Sequence, residues 1–365
     1  MTKSIRDFIN KICPNGVPNV EYQTRAIDFL PFLKSLMSHQ DKTERATAAK
    51  VIRCIMFRHP ANQKHARDII GPLVELLGEN GDLFIEGAWT CSVLMDMSLP
   101  RDIAMENQRL LSDAGALAHL LRMLGDSVER SAALRSINCL LIANRSNQDI
   151  AVRSGAVPQV VGMLRSSVVD AERVNALNFL NIVSERHAGT LVSAGALPAT
   201  VACLDAPWGS RAHLLIHLMI CDVNGQKTVV DQGIIPQIVR LLQSPTLTTM
   251  TLGSVLSTLK WLVRGPEKEY IVAKLADSAS LLRSLASTFA ANPECGSGVI
   301  IAHLVEGDDE RVRAELEGVL PKVLEYLQSK RKRVLRGLDE WDTLVSMMTV
   351  DRKKQRCKIE VESTS

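Results

Sequence analysis

The sequence predicts an all-α protein built from stacked helical repeats, and three observations support this prediction. A phrase in which glycine precedes proline by three residues returns about every 40 residues. An Asn-Gln pair recurs 10 or 11 residues before several of these prolines. Hydrophobic residues make up 46% of the chain but aromatic residues only 4%, a composition that suits close packing of helix on helix. Stacked units of this kind present a surface rather than one catalytic pocket.

The glycine–proline phrase indicates where a helix begins. It is clearest at residues 154–158, 194–198 and 232–236, and residues 114–118 carry alanine in the proline position. Proline is tolerated in the first helical turn because its missing N–H would be unpaired there, and glycine permits the sharp turn before it. The same position holds Pro31, Pro72 and Pro321, with a weaker copy near Ala279.

Each phrase is followed by apolar residues at helical spacing. In the copy at 154–158 these are Val157, Val160, Val161 and Leu164, which form one buried stripe. A polar turn and a second, longer amphipathic run follow, so each unit is predicted to contain a short helix and a longer one. We expect no strands, because β-branched and polar residues do not alternate over any sustained stretch.

The repeats also predict the organisation of the chain. Because stacked units contact only their neighbours, one solenoid spanning residues 20–348 needs no internal domain boundary. Residues 1–19 are predicted to form an N-terminal cap helix and loop. Residues 349–365 are predicted to form a basic, disordered tail.

Several classes of function are not expected. Catalytic motifs are missing, so we predict no enzyme and no cofactor. His213, His217 and Cys221 give three candidate metal ligands on an apolar helix without a fourth, so no metal site is predicted. The eight cysteines lack paired spacing, which indicates free thiols in a reducing compartment. With no apolar run of membrane-spanning length and no secretory segment, we expect an intracellular protein, in the cytoplasm or nucleus.

The Gly-Ala-(Val/Leu)-Pro helix start, the repeat length and the Asn-x-x-Asn-Gln turn resemble armadillo repeats. This resemblance implies an armadillo-type right-handed α-solenoid of about seven to eight repeats. It also implies that an extended segment of a partner protein binds along the concave groove, on the third helix of each repeat. Residues 84–90 resemble the Trp-bearing inner helix of importin-α, a nuclear import adaptor, which implies transport carriers as further partners.

The resemblance to importin-α implies candidate groove residues. In that family an Asn of the third helix bonds the peptide backbone, and a Trp one turn earlier stacks on basic side chains. An amide suits the first task because it both donates and accepts, and an indole face attracts a cation. Asn138 and Asn181 hold the Asn position, and Trp89 holds the Trp position with Val93 after it. Structural roles in packing remain the alternative for all three candidates.

Two cations occupy groove positions in other repeats. Arg53 takes the Asn position in the first repeat, and Lys260 is the candidate beside Trp261. Both would repel a basic peptide, so the segment is expected to be neutral or acidic. The alternative functions are a divergent importin-α-like transport adaptor, and a scaffold or chaperone cofactor that uses the convex face or the repeat ends.

Basic residues are concentrated near the C-terminus, although the net charge of the whole chain is only +3. We favour a solvated face of a capping helix pair over a binding site for acidic protein or a localisation signal. Nucleic acid is not expected, because few aromatic side chains are present for base stacking. This basic C-terminal patch comprises Lys330, Arg331, Lys332, Arg333, Arg352, Lys353 and Lys354.

Overall fold

The computed structural model describes residues 3–14, 17–96, 98, 100–125, 129–203, 225–244, 247–265, 267–306 and 309–333. Throughout these residues the secondary structure is helical, without strands. The chain separates into two compact units, unit 1 (residues 1–183) and unit 2 (residues 184–365). The predicted domain limits at residues 19 and 348 stay predictions.

Unit 1 contains twelve described helices and most of a thirteenth, which passes the unit limit and is kinked at His187. They are α1 (Lys3–Ile12), α2 (Val20–Ala26), α3 (Leu30–Met37), α4 (Lys42–Met56), α5 (Pro60–Gln63), α6 (Ile70–Leu77), α7 (Asp82–Leu94), α8 (Arg101–Asp113), α9 (Ala116–Arg122), α10 (Arg130–Leu141), α11 (Arg145–Arg153), α12 (Ala156–Ser166) and α13 (Asp170–Ser193).

Nine α-helices lie wholly within the described part of unit 2. They are α14 (Ala196–Val201), α15 (Gly225–Asp231), α16 (Ile234–Leu242), α17 (Thr249–Leu262), α18 (Lys268–Ala276), α19 (Ala279–Ala291), α20 (Ser297–Glu306), α21 (Glu310–Leu316) and α22 (Leu320–Arg333). None of the described helices is long and apolar enough to cross a bilayer.

The fully described repeats, such as the one formed by α8, α9 and α10, have three helices rather than the two that the sequence predicts. The second and third helices are the predicted pair, as in α9 and α10. The additional first helix carries the Asn-Gln pair, as in α5, α8 and α11. The sequence pattern missed this helix because it is polar and buries the amides of the Asn-Gln pair in place of a full apolar stripe.

The glycine of the repeated phrase has the predicted role at the start of the second helix. Gly115, Gly155, Gly195 and Gly233 have φ of 84°, 80°, 72° and 83°. This left-handed conformation is readily accessible to glycine and strained for residues with a Cβ atom. The glycine therefore turns the chain sharply from the first helix into the second.

Helices of the same kind pack side by side in unit 1. The third helices α4, α7 and α10 contact one another in series, and so do the second helices α3, α6 and α9. The core between these two layers is aliphatic, with Ile52, Leu76, Leu134 and Ile137 fully buried. Burying one such side chain stabilises the fold by about 1.5–3 kcal/mol, so this packing is the main source of stability.

Side-chain amides connect successive repeats of unit 1. Nδ2 of Asn62 donates to the carbonyl oxygens of Gln23 and Ile55, both at 3.0 Å. Nε2 of Gln63 donates to the carbonyl oxygen of Met56 at 2.8 Å and to that of Val93 at 3.0 Å. The last carbonyls of a helix lack partners within the helix, so these amides cap the ends of α4 and α7. We call these contacts the amide clamps.

Unit 2 repeats the arrangement with different contacts. The second helices α16 and α19 pack together, as do the third helices α17 and α20. Nε2 of Gln232 donates to the carbonyl oxygen of Val192 at 3.0 Å. Gly298 allows α20 to approach Phe289, whose ring meets the ring of Tyr326 edge to face at 5.8 Å. Aromatic packing and small residues hold this part of the core.

Candidate functional site

The candidate site in unit 1 is the third-helix face, the partly exposed side of α4, α7, α10 and the first part of α13. Equivalent hydrogen bonds establish how these helices align. Asn62, Asn107 and Asn147 donate their Nδ2 hydrogens to the carbonyl oxygens of Ile55, Leu94 and Leu140. Ile55, Leu94 and Leu140 therefore occupy the same position in three successive repeats.

This alignment differs by one residue from the one that the sequence predicts. Counting back from Leu94 and Leu140 places Ser92, rather than Val93, level with Asn138. Trp89 is then level with Arg135 and Lys50. The sequence-based alignment of α7 used the position of Trp89 alone. The hydrogen bonds of the amide clamps align the C-terminal ends of the third helices directly.

Asn138 connects two third helices. Its Nδ2 donates to the carbonyl oxygen of Asn175 on α13 at 2.9 Å, and the residue is only 7% exposed. Its Oδ1 is buried and accepts no hydrogen bond from the described residues. Asn181 lies on α13, half-buried. The structure thus places both predicted amides in unit 1. The Nδ2 group of Asn138 is already hydrogen-bonded to the neighbouring helix α13.

Arg53 is half-buried and paired with an acid. Its Nη2 lies 2.8 Å from Oε2 of Glu86, with the two side chains 27% and 17% exposed. The pair joins α4 to α7, and Arg130 joins α10 to α13 in a similar way through Glu172 at 3.0 Å. Glu86 therefore compensates the charge that the sequence assigned to Arg53.

Trp89 is covered by a cation from the next repeat. The guanidinium carbon of Arg135 lies 5.2 Å from the centre of the indole ring, within the range of a cation–π interaction. Arg135 itself is exposed, and Lys50 is half-buried at the same level of α4. Neither cation forms an ion pair with another described residue. Lys50, Trp89 and Arg135 therefore form a cationic strip across the third-helix face.

The sequence pointed to Trp89 but missed Arg135. Arg135 lies three residues before Asn138, so both are on neighbouring parts of one helix surface. The resemblance to importin-α directed attention to Trp and Asn positions only. A search for cations one helical turn from the Asn position would have found it.

Lys260 belongs to unit 2, whereas the other four groove candidates belong to unit 1. It is half-buried on α17, beside Trp261, which is 47% exposed. Burial lowers the pKa of Lys260, and the positive charge of Arg264 lowers it further. Both effects weaken its hold on a proton, so this cation is less stable than an exposed lysine.

The basic C-terminal patch and the histidine–cysteine group lie mostly or wholly outside the described residues. Residues 330–333 end α22, and their side chains lie outside the described part of the chain, as do residues 352–354 entirely. His213, His217 and Cys221 also lie outside it. Among the described residues, no group of three His, Cys, Asp or Glu side chains is placed to hold a metal ion.

The described cysteines are free thiols. Burial raises the pKa of Cys54 and of Cys139 to about 11. Burial also raises the pKa of Cys91 strongly. These thiols remain protonated at physiological pH, and thiols in this form are weak nucleophiles and poor metal ligands.

Comparisons with known proteins establish the fold and leave the family open. Neither the scan against protein-family models nor the search of curated proteins found a match. Solved structures do match, among them three with 13–19% sequence identity. They define the chain as an armadillo-type α-solenoid protein.

Three of these structures illustrate the similarity. An engineered protein has 18% identity and a TM-score of 0.59, covering 95% of this chain and 93% of its own. A designed armadillo repeat protein in complex with the peptide (KR)4 has 19% identity and a TM-score of 0.55, covering 64% and 99%. A chain from a structure concerning the interaction between cadherin and beta-catenin has 13% identity and a TM-score of 0.64, covering 90% and 66%.

Proposed function

We propose that this chain is a non-enzymatic protein-binding module, and that the third-helix face of unit 1 binds an extended, acidic segment of a partner protein. The observation that carries the proposal is the position of Arg135 over Trp89. A similar designed protein is found in complex with a peptide, which supports peptide binding by this fold. The charge preference comes from the cationic strip itself.

The cationic strip favours carboxylates over ammonium or guanidinium groups. An incoming basic side chain would have to displace Arg135 from the indole ring, at a cost of about 0.5–2 kcal/mol. It would also approach the positive charges of Lys50 and Arg135. An acidic side chain pairs with both cations and leaves the cation–π contact in place, so complementarity favours it.

Amide side chains supply contacts to the backbone of the bound segment. Asn178 and Asn181 are both half-buried on α13, one turn apart on the third-helix face. The amide of Asn178 can donate to a carbonyl and accept from an N–H of an extended peptide, and Asn181 lies one turn further along the same face. Asn138 acts indirectly, because its Oδ1 is buried and its Nδ2 holds α13 in place through Asn175. Lys260 would give a separate cationic contact in unit 2. Losing one such contact costs about 1–3 kcal/mol when a buried group stays unpaired.

Two labelled peptides test this proposal by fluorescence anisotropy. The first alternates Glu and Asp, and the second is (KR)4, of the same length. We expect the acidic peptide to bind more tightly than (KR)4. Arg135→Gln should lower the affinity for the acidic peptide about tenfold, the equivalent of 1.4 kcal/mol. Arg101→Gln is the matched control, because Arg101 is an exposed cation on α8, away from the third-helix face.

The same titrations separate the alternatives. An adaptor of the importin-α type would bind (KR)4 more tightly than the acidic peptide. If the protein is a scaffold that acts through its convex face, neither Arg135→Gln nor the double change Asn138→Ala and Asn181→Ala would alter the affinity for the acidic peptide. Either result, or equal losses in the Arg101 and Arg135 variants, contradicts the proposed site.

A further inference from the structure

Unit 2 contains a cavity that none of the sequence motifs predicted. It lies between the end of α17, one side of α18 and the C-terminal half of α20, and its volume is about 440 Å³. A cavity of this size lies within the usual range for ligand pockets. Its apolar wall includes Val263, Val272 and Leu304, while Lys268, Glu269, Glu306 and Asp309 supply its charged groups.

The carboxylates of the cavity differ in how far they are compensated. Asp309 caps α21 by accepting from the backbone N–H of Arg311, whose guanidinium lies 2.8 Å from its carboxylate. Glu269 is exposed and forms no ion pair with the described residues. Within the described part of the chain, the ion-pair partner of Glu306 is His303, with 3.4 Å between Oε2 and Nδ1. Glu269 and Glu306 therefore remain available to a cation.

His303 does not neutralise Glu306. Its side chain is only 11% exposed, and burial lowers its pKa despite the opposing effect of Glu306. The positive charges of Arg264 and Lys268 lower this pKa further. The ring is therefore neutral at physiological pH and brings no positive charge to the carboxylate of Glu306. Lys268 is exposed on the same cavity and forms no ion pair with the described residues.

We propose that this cavity binds a basic side chain, arginine or lysine, of a partner protein. The aliphatic stem of such a side chain packs against Val272, Ala273 and Ala276, the lining apolar residues that keep accessible surface, while its charged end meets Glu269 and Glu306. Arginine and lysine commonly bury their stems in this way and keep the charged end among polar groups. The guanidinium of arginine can donate to both carboxylates at once. The proposal rests on the protein-binding role, but not on the acidic preference of unit 1.

Methyl NMR spectra of the full-length protein test the cavity directly. The probe is a neutral Gly–Ser peptide with one central arginine, and its control has citrulline, which keeps the stem and removes the charge. We expect the arginine peptide to shift the methyl signals of Val263, Val272 and Leu304, and the citrulline peptide to leave them unchanged. Equal shifts with both peptides, or none with either, would overturn the proposal.

Variants identify the groups responsible. The double change Glu269→Gln and Glu306→Gln should lower the affinity for the arginine peptide about tenfold, which equals 1.4 kcal/mol. Glu317→Gln is the matched control, because Glu317 is an exposed acid outside the cavity. Lys268→Gln should strengthen binding, since it removes a like charge. A double variant that binds as tightly as the unchanged protein, or a Lys268 variant that binds more weakly, contradicts the assignment.

A small guanidine distinguishes a partner side chain from a free metabolite. Agmatine carries the arginine end group without a peptide. If agmatine produces the same shifts at lower concentration than the arginine peptide, the cavity serves a free guanidine and the partner assignment fails. The Arg135→Gln variant should bind the arginine peptide normally. This result separates failure at the cavity from failure of the unit 1 site.

Discussion

Unit 1 and unit 2 build similar repeats with different polar contacts. In unit 1 the first helix of each repeat carries an Asn-Gln pair whose amides reach the end of a third helix. In unit 2 the corresponding pair is Gly225-Gln226, and the buried side chain of Gln226 lies against Gly265. Among the described residues, the amide clamps are thus a feature of unit 1, and the described contact of Gln226 in unit 2 differs from them.

The largest expected effect is the loss of a clamp in unit 1. Asn62→Leu keeps a similar volume but leaves the carbonyl oxygens of Gln23 and Ile55 without their donor. We expect the free energy of unfolding to fall by about 2–3 kcal/mol, because buried carbonyls lose their partner. Urea denaturation followed by circular dichroism measures this change.

The matched control is Gln243→Leu in unit 2. Gln243 is exposed and donates to the hydroxyl oxygen of Ser284 at 3.3 Å. Its replacement should therefore lower the free energy of unfolding by no more than about 0.5 kcal/mol. Equal losses for Asn62→Leu and Gln243→Leu would show that the clamp adds nothing special to unit 1.

A smaller loss is expected from Gly298→Ala in unit 2. A Cβ atom there would lie 2.8 Å from Cε2 of Phe289, which is closer than side chains pack. Relieving this contact should cost about 2 kcal/mol, as overpacking of a core does. Differential scanning calorimetry would show a lowered Tm.

The opposite sign is expected for Gly162→Ala in unit 1. Gly162 lies within α12 and has open space where the Cβ would be placed. Alanine should stabilise the helix there by about 0.5–1 kcal/mol, because glycine loses more backbone entropy on folding. If both glycine variants change the Tm in the same direction, the close approach of α20 to Phe289 does not explain the lowered Tm of Gly298→Ala.

The smallest effect concerns pH and His303. Because its pKa is lowered in the folded state, the unfolded chain binds a proton more readily. The stability that the neutral ring supports is complete above the unfolded pKa of about 6.5. It is lost as the pH falls from there towards the folded pKa. Urea titrations across this range should show stability falling with acidification, and less steeply in His303→Asn.

His65→Asn provides the control for this pH dependence. His65 is exposed in unit 1, so its replacement removes an imidazole without removing a buried one. An unchanged slope in His303→Asn would show that burial of this ring does not contribute to acid sensitivity.

The sequence predicted the helical repeat because its strongest signals are local. Gly155 and Pro158 act within one turn of backbone, so their pattern is visible without knowing any distant contact. The Asn-Gln pair was also visible, but its role was not. The partners of Asn62 include the carbonyl of Gln23, and no pattern along the chain reveals that contact.

The candidate site was less predictable because it depends on alignment between helices. Trp89 and Arg135 are on different helices, and their contact requires knowing which residues are level with each other. The same limit applies to Glu86, whose proximity removes the free charge expected of Arg53. The cavity of unit 2 combines residues from several elements, and no spacing in the sequence connects Glu269 with Glu306.

The amide clamps make the folding of one repeat dependent on the next. Gln63 caps the end of α4 in one repeat and the end of α7 in the following one, so melting either helix leaves a buried amide without its acceptor. Repeat arrays behave as chains with nearest-neighbour coupling, and strong coupling suppresses fraying from the ends. In hydrogen exchange, the amides of α4 and α7 should therefore open together, as one cooperative block.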